Sequence, residues 1–121
     1  MYRTVDRAQV TGIAALRAGA IPEEVDRAAR KVIEDAGYGE FFTHRLGHGL
    51  GMDGHESPYL VRGNRTALTA GNTVTVEPGI YIPEKFGVRI EDDYAVCDGD
   101  PEGLSDRYIE LLVLNDRGTG I

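Results

Sequence analysis

Residues 73–96 read Thr-Val-Thr-Val-Glu-Pro-Gly-Ile-Tyr-Ile-Pro-Glu-Lys-Phe-Gly-Val-Arg-Ile-Glu-Asp-Asp-Tyr-Ala-Val. Two runs rich in Val, Ile, Thr and Tyr, Thr73 to Ile82 and Phe86 to Val96, flank Pro83-Glu84-Lys85, which predicts two antiparallel strands joined by a short loop. Alternation sets Val74 and Val76 on one face and Glu77 on the other; likewise Val88 and Ile90 oppose Arg89 and Glu91. With the loop centred on Glu84, Glu77 and Glu91 are equidistant from the turn and face each other across the hairpin. Like charges so placed repel, and the pattern asks for compensation, from Arg89 and other basic groups or from a metal ion.

Upstream lies Phe41-Phe-Thr-His-Arg-Leu-Gly-His-Gly-Leu-Gly-Met-Asp-Gly-His-Glu-Ser-Pro58, which holds all three histidines of the chain. His44 and His48 are four apart and share a face on a strand or a helix. His55 follows at an odd offset across Gly49, Gly51 and Gly54, so convergence of the three rings requires the glycines to bend the chain. Gly-His-Gly also lets backbone approach whatever His48 faces. A lone histidine is most often a satisfied polar residue. Three within a dozen positions, beside two facing glutamates, fit a divalent-metal site of one imidazole and carboxylates, with further imidazoles for proton transfer or substrate contact.

Before this segment the period is helical. Val5, Ala8, Ile13 and Leu16 fall near one face of Tyr2 to Arg17, with Gly19 as a stop. Pro22 opens a second helix, Ile21 to Ala36, with Glu23 and Glu24 at its positive end and a stripe of Val25, Ala28, Ala29, Val32, Ile33 and Ala36 that Gly37 terminates. Tyr108 to Leu114 reads as a further strand. Two helices followed by strands indicate an α+β domain rather than alternating βαβ units.

The length, 121 residues, fits one domain spanning 1–121. A formal charge of −7 leaves no basic stripe for nucleic acid. No apolar run approaches the ~20 residues of a membrane span, and the charged N-terminus is unlike a signal peptide. The single cysteine, Cys97, cannot form an internal disulfide and reads as a small buried residue. A soluble, cytoplasmic protein is expected.

Four stretches, taken together, resemble the creatinase-like "pita-bread" metallopeptidases in order and spacing. They are His44-Arg-Leu-Gly-His48-Gly-Leu-Gly, His55-Glu-Ser-Pro, Val76-Glu77-Pro-Gly-Ile-Tyr81 and Gly87-Val-Arg-Ile-Glu91-Asp-Asp. Within that group the residues around His44 and the Glu77-Pro-Gly-Ile-Tyr run are more similar to Xaa-Pro aminopeptidases and Xaa-Pro dipeptidases than to methionine aminopeptidases. The resemblance implies a two-metal centre of manganese, cobalt or zinc that activates a bridging water against a peptide carbonyl. It makes His48, Glu77 and Glu91 metal ligands, with Glu77 also the proton acceptor. It makes His55 a substrate-contacting residue that stabilises the tetrahedral intermediate, His44 a pocket residue, and Tyr81 and Arg89 supporting residues.

Members of that group hold their metals with two further aspartates from strands preceding the first helix seen here. The resemblance therefore covers the C-terminal half of the catalytic domain: half of a pita-bread fold, two helices on a curved, mainly antiparallel sheet. The expectations are one well-bound divalent ion at most, poor or no hydrolysis of Xaa-Pro peptides by the chain alone, and a homodimer or a complementing N-terminal half as partner. The alternative is a non-catalytic relative that binds metal or self-assembles.

Overall fold

The computed structural model describes residues 1–107 and 110–114. Helix α1 covers Tyr2–Ala15 and helix α2 Pro22–Asp35. Pro22 opens α2 where its missing N–H costs nothing, and Gly37, at φ +90, follows its end. The inward face of α1 is Val5, Ala8, Gln9 and Gly12, with Leu16 just beyond the last turn. Ile13, expected inside, is only partly buried, and Ala36 of the second stripe is exposed. Gly12 brings α1 close: a Cβ there would sit 3.1 Å from Leu46 and 3.4 Å from both Ala29 and Val76.

Among the described residues seven strands follow: β1 Gly47–Gly49, β2 Glu56–Leu60, β3 Thr73–Val76, β4 Gly79–Ile82, β5 Phe86–Arg89, β6 Asp92–Ala95 and β7 Glu102–Gly103. Five form a sheet in the order β2-β1-β3-β6-β7, while β4 and β5 form a two-stranded ribbon, and every pairing is antiparallel. The helices pack on each other, α1 also against β3 and β5 and α2 against β2. The shared core includes Val5, Val25, Ile33, Leu46, Val74 and Ile80. Each such aliphatic side chain, fully buried, contributes about 1.5–3 kcal/mol. This is the α+β arrangement expected, two helices on a mainly antiparallel sheet.

The long hairpin has the expected register. Thr73 pairs with Ala95, Val76 with Asp92, Gly79 with Arg89 and Ile82 with Phe86, all centred on Glu84. Its two strands are nevertheless interrupted. Glu77-Pro78 and Ile90-Glu91 lie outside the ladder, so Thr73–Ile82 is β3 plus β4, and Phe86–Val96 is β5 and β6 with Val96 beyond β6. The expected polar face of the first strand is also absent. Val74, Thr75, Val76 and Glu77 are all buried, because β3 is central and the Thr75 hydroxyl accepts the His48 amide at 3.1 Å. Of the strand expected over Tyr108 to Leu114, Tyr108 and Ile109 lie outside the described residues; Glu110–Leu114 form no strand and are exposed. Cys97 is half-buried. Among the described residues no helix is long and apolar enough to cross a membrane.

Candidate metal centre

Helix α2 holds the histidine segment in place. Asp26, buried, takes two hydrogen bonds from Arg30, at 3.0 and 3.1 Å, and accepts the Leu46 amide at 2.9 Å. Arg30 in turn donates to the carbonyls of Phe42 and His44, both at 2.7 Å. From the other side, the Glu77 amide donates to the Leu46 carbonyl at 2.7 Å. One clamp thus fixes the chain from Phe42 to Leu46 and sets it beside Glu77. Asp26 and Arg30 had a visible signal, an acid and a base four apart on a helix, but nothing local marked that pair as inward.

His48 lies on β1 and is 8% exposed, as is Glu77. Its Nδ1 donates to the Gly49 carbonyl at 2.9 Å, which fixes the tautomer in which the lone pair of Nε2 faces Glu77 and is open to a metal. That nitrogen is 3.1 Å from Glu77 Oε2. Two lone-pair atoms at this distance repel until a proton or a cation sits between them, and Glu77 Oε2 is buried with no hydrogen-bond donor of its own. Across the interrupted hairpin stands Glu91, exposed. One donor atom each from His48, Glu77 and Glu91 lies within 4.8 Å of the others. An imidazole and two carboxylates suit zinc, cobalt or manganese, so the residues fit a divalent ion.

The compensation that the facing carboxylates ask for is partial. Arg89 reaches Glu77 Oε1 at 3.6 Å, but its side chain is 41% exposed and water screens the pair. Burial, followed by the charge of Glu77, pushes the Glu91 carboxyl up from its ordinary value. A carboxyl raised on folding favours the folded state below its unfolded pKa, and that contribution is lost as pH rises through the folded one. The metal-free chain should therefore lose stability as pH climbs out of the carboxylate range. Glu91→Gln should raise its melting temperature by about 2–4 °C at about pH 7 and leave it unchanged at about pH 4. Equal melting of the two chains at both pH values would show that the glutamates do not strain each other.

The histidines divide. The His55 ring, exposed, stands edge-on to His48 with centroids 4.5 Å apart. His44 packs edge-on against Phe42 at 5.0 Å and Tyr81 at 5.8 Å. Its Nδ1 faces the Arg45 carbonyl at 2.7 Å, leaving Nε2 buried and unpartnered, and burial holds its pKa below the ordinary histidine value. The Arg89 guanidinium lies 5.4 Å from the Tyr81 ring. His44, Tyr81 and Arg89 thus make a second wall beside the His48, Glu77 and Glu91 cluster. Asp92 and Asp93 do not join that cluster. Asp92 is turned to Gln9 and Ser105 instead, at 2.8 and 3.0 Å. Gln9, which the sequence did not single out, is a fully buried polar group of this neighbourhood; its signal is a glutamine on the face that carries Val5, Ala8 and Gly12.

The description of metallopeptidase family M24 matches residues 1–98. Among curated proteins, the probable dipeptidase PepE of Mycobacterium tuberculosis is 42% identical over 113 residues, which are 93% of this chain and 30% of that protein. An uncharacterized peptidase of Staphylococcus haemolyticus is 47% identical over 105 residues, 87% of this chain and 30% of the relative. Among solved structures, the Xaa-Pro dipeptidase from Bacillus anthracis superposes with a TM-score of 0.90 at 44% identity, over 93% of this chain and 32% of that one. The prolidase from Thermococcus sibiricus gives 0.89 at 48% identity, over 93% and 31% respectively. The chain spans about 30% of the length of the curated relatives it matches.

Proposed function

The chain belongs to metallopeptidase family M24, and from that premise we propose that it carries the His48, Glu77 and Glu91 part of a metal centre that hydrolyses Xaa-Pro peptide bonds. The observation that carries the reading is the convergence of one imidazole nitrogen and two carboxylates within 4.8 Å at the interruption of a hairpin. A relative described as an Xaa-Pro dipeptidase, 44% identical, supports the substrate class.

A bound manganese, cobalt or zinc ion lowers the pKa of water towards neutrality and polarises a carbonyl. The rest of the work belongs to the side chains. Glu77, held by the Leu46 carbonyl and by Arg89, accepts the proton of the attacking water at a carboxylate oxygen. His55, against the His48 ring and open to solvent, donates a hydrogen bond to the oxygen that gains charge as the carbonyl carbon becomes tetrahedral. His44 and Tyr81 form the wall on which the substrate side chains rest, and Arg89 offsets the negative charge of the glutamates.

Among the described residues the cluster holds one histidine and two glutamates, with no further carboxylate. That supports weak or no turnover by the 121 residues alone and keeps a second reading in view, a non-catalytic module that binds metal or assembles. The partner is a second copy or a polypeptide that supplies the remaining carboxylates. Exposed Leu111, Leu112, Val113 and Leu114 and the edge strands β2 and β7 leave surface for either.

The deciding assay is hydrolysis of an Xaa-Pro dipeptide with manganese. The chain alone should show no turnover above background. Turnover should appear when the segment of the Bacillus anthracis relative that precedes the matched region is added. Turnover by the chain alone would overturn the claim of an incomplete centre, and none in the mixture would favour the non-catalytic module. Light scattering at about 50 μM distinguishes the partners, a clean monomer counting against the homodimer.

A further inference from the structure

The hairpin that carries both glutamates loses its ladder in one place, and the cause is Pro78. In the register centred on Glu84, hydrogen-bonded pairs recur at every second position. Val96 donates to the Asn72 carbonyl at 2.7 Å, Val74 pairs with Tyr94 and Val76 with Asp92, and Ile90 donates to the Pro78 carbonyl at 3.3 Å. An antiparallel pair of this kind exchanges two bonds. Proline has no N–H to return, so the Ile90 carbonyl, one residue before Glu91, has no ladder donor.

The side chain of Gln9 stands in that gap. Its Nε2 lies 3.4 Å from the Ile90 carbonyl oxygen, 3.3 Å from that of Val76 and 2.8 Å from Asp92 Oδ2. An amide has two N–H groups; one serves the carboxylate and the other is shared between the two carbonyls. Val76 and Ile90 are the residues immediately preceding Glu77 and Glu91. Gln9 is fully buried, and its amide cannot flip, because Oε1 accepts the Arg107 Nε at 2.8 Å and Arg107 also pairs with Asp6. Asp92 is fixed in turn by Ser105 at 3.0 Å.

The geometry points to Gln9 as a positioning residue of the metal centre. Its side-chain amide replaces the N–H that Pro78 lacks and clasps the two backbone segments from behind, which sets the spacing of Glu77 and Glu91 in front. The inference rests on the reading of those glutamates as ligands. A leucine at this position has no donor for the two carbonyls, and a glutamate would set a carboxylate against them and against Asp92.

The test compares the wild-type chain with Gln9→Leu, Pro78→Ala and the double variant, measuring manganese affinity by calorimetry and melting without metal. Alanine at 78 restores an N–H aimed at the Ile90 carbonyl. Gln9→Leu should weaken manganese binding about 10-fold, the size expected for an outer partner of a ligand, and the same change beside Pro78→Ala by less than about 3-fold. Melting without metal should show the same coupling. Val5→Ala, a core truncation one turn earlier on α1, should lower the melting temperature yet leave manganese affinity within about 2-fold, which separates positioning from general loosening. Gln9→Leu that binds like wild type, or an equal loss in both backgrounds, overturns the proposal. If Gln9→Leu does not fold, a folded double variant supports the clasp and an unfolded one overturns it. A wild-type chain that takes no manganese fails the ligand reading, and the coupling in metal-free melting then still decides whether Gln9 replaces the missing N–H.

Discussion

Manganese titrated into the 121-residue chain should fill one site, and His48→Ala should weaken that site on the order of 100-fold or more. His48 supplies the only imidazole nitrogen of the cluster, pre-oriented by its bond to the Gly49 carbonyl and 3.1 Å from Glu77 Oε2. Alanine removes that ligand and leaves Glu77 buried with less to face. Changes to residues that merely support a ligand cost ~10–100-fold, and loss of the ligand itself should exceed that. A second ion ~3.5–4 Å away would add repulsion that further carboxylates must offset, and among the described residues the cluster contains only Glu77 and Glu91. Calorimetry reads both the number of sites and the effect of the substitution. Two tight sites, or one site indifferent to His48→Ala, would show that the ion is held elsewhere.

The second large effect concerns the glycine before that histidine. Gly47→Ala should destabilise the fold by about 3 kcal/mol or more and lower the melting temperature by on the order of 10 °C. A Cβ at Gly47 would overlap the carbonyl oxygen of Thr75, on the central strand β3. β3 is paired on one side with β1 and on the other with β6, so its backbone has no room to retreat. Gly54→Ala is the control from the same glycine-rich stretch, because nothing lies within 4 Å of a Cβ there. Thermal melting of the two variants decides the matter, and a Gly47→Ala chain that melts like Gly54→Ala would refute close backbone contact at β1.

Much of this was written locally. The helices followed from period and punctuation, Pro22 at the start and Gly37 at the end of α2, because both signals act within one turn. Hairpin register followed from symmetry about Glu84, since a short loop fixes every pair behind it. That register set Glu77 opposite Glu91; residue chemistry asked for one imidazole beside them, and the family resemblance singled out His48 among the three.

The tertiary structure decided what distant segments do to one another. The burial of Thr75 and Glu77 is not visible in an alternating pattern, because it depends on β1 lying against β3; the interruption at Glu77-Pro78 comes instead from Pro78, which has no N–H for the ladder. β1 itself is three residues long, too short to carry a period. The clamp of Asp26 and Arg30 on the histidine segment, and the reach of Gln9 to Val76 and Ile90, join residues up to 81 positions apart. Spacing within a helix says which residues share a face. It cannot say that the groups across from that face are two carbonyls, one of them without a ladder donor because Pro78, between β3 and β4, faces it.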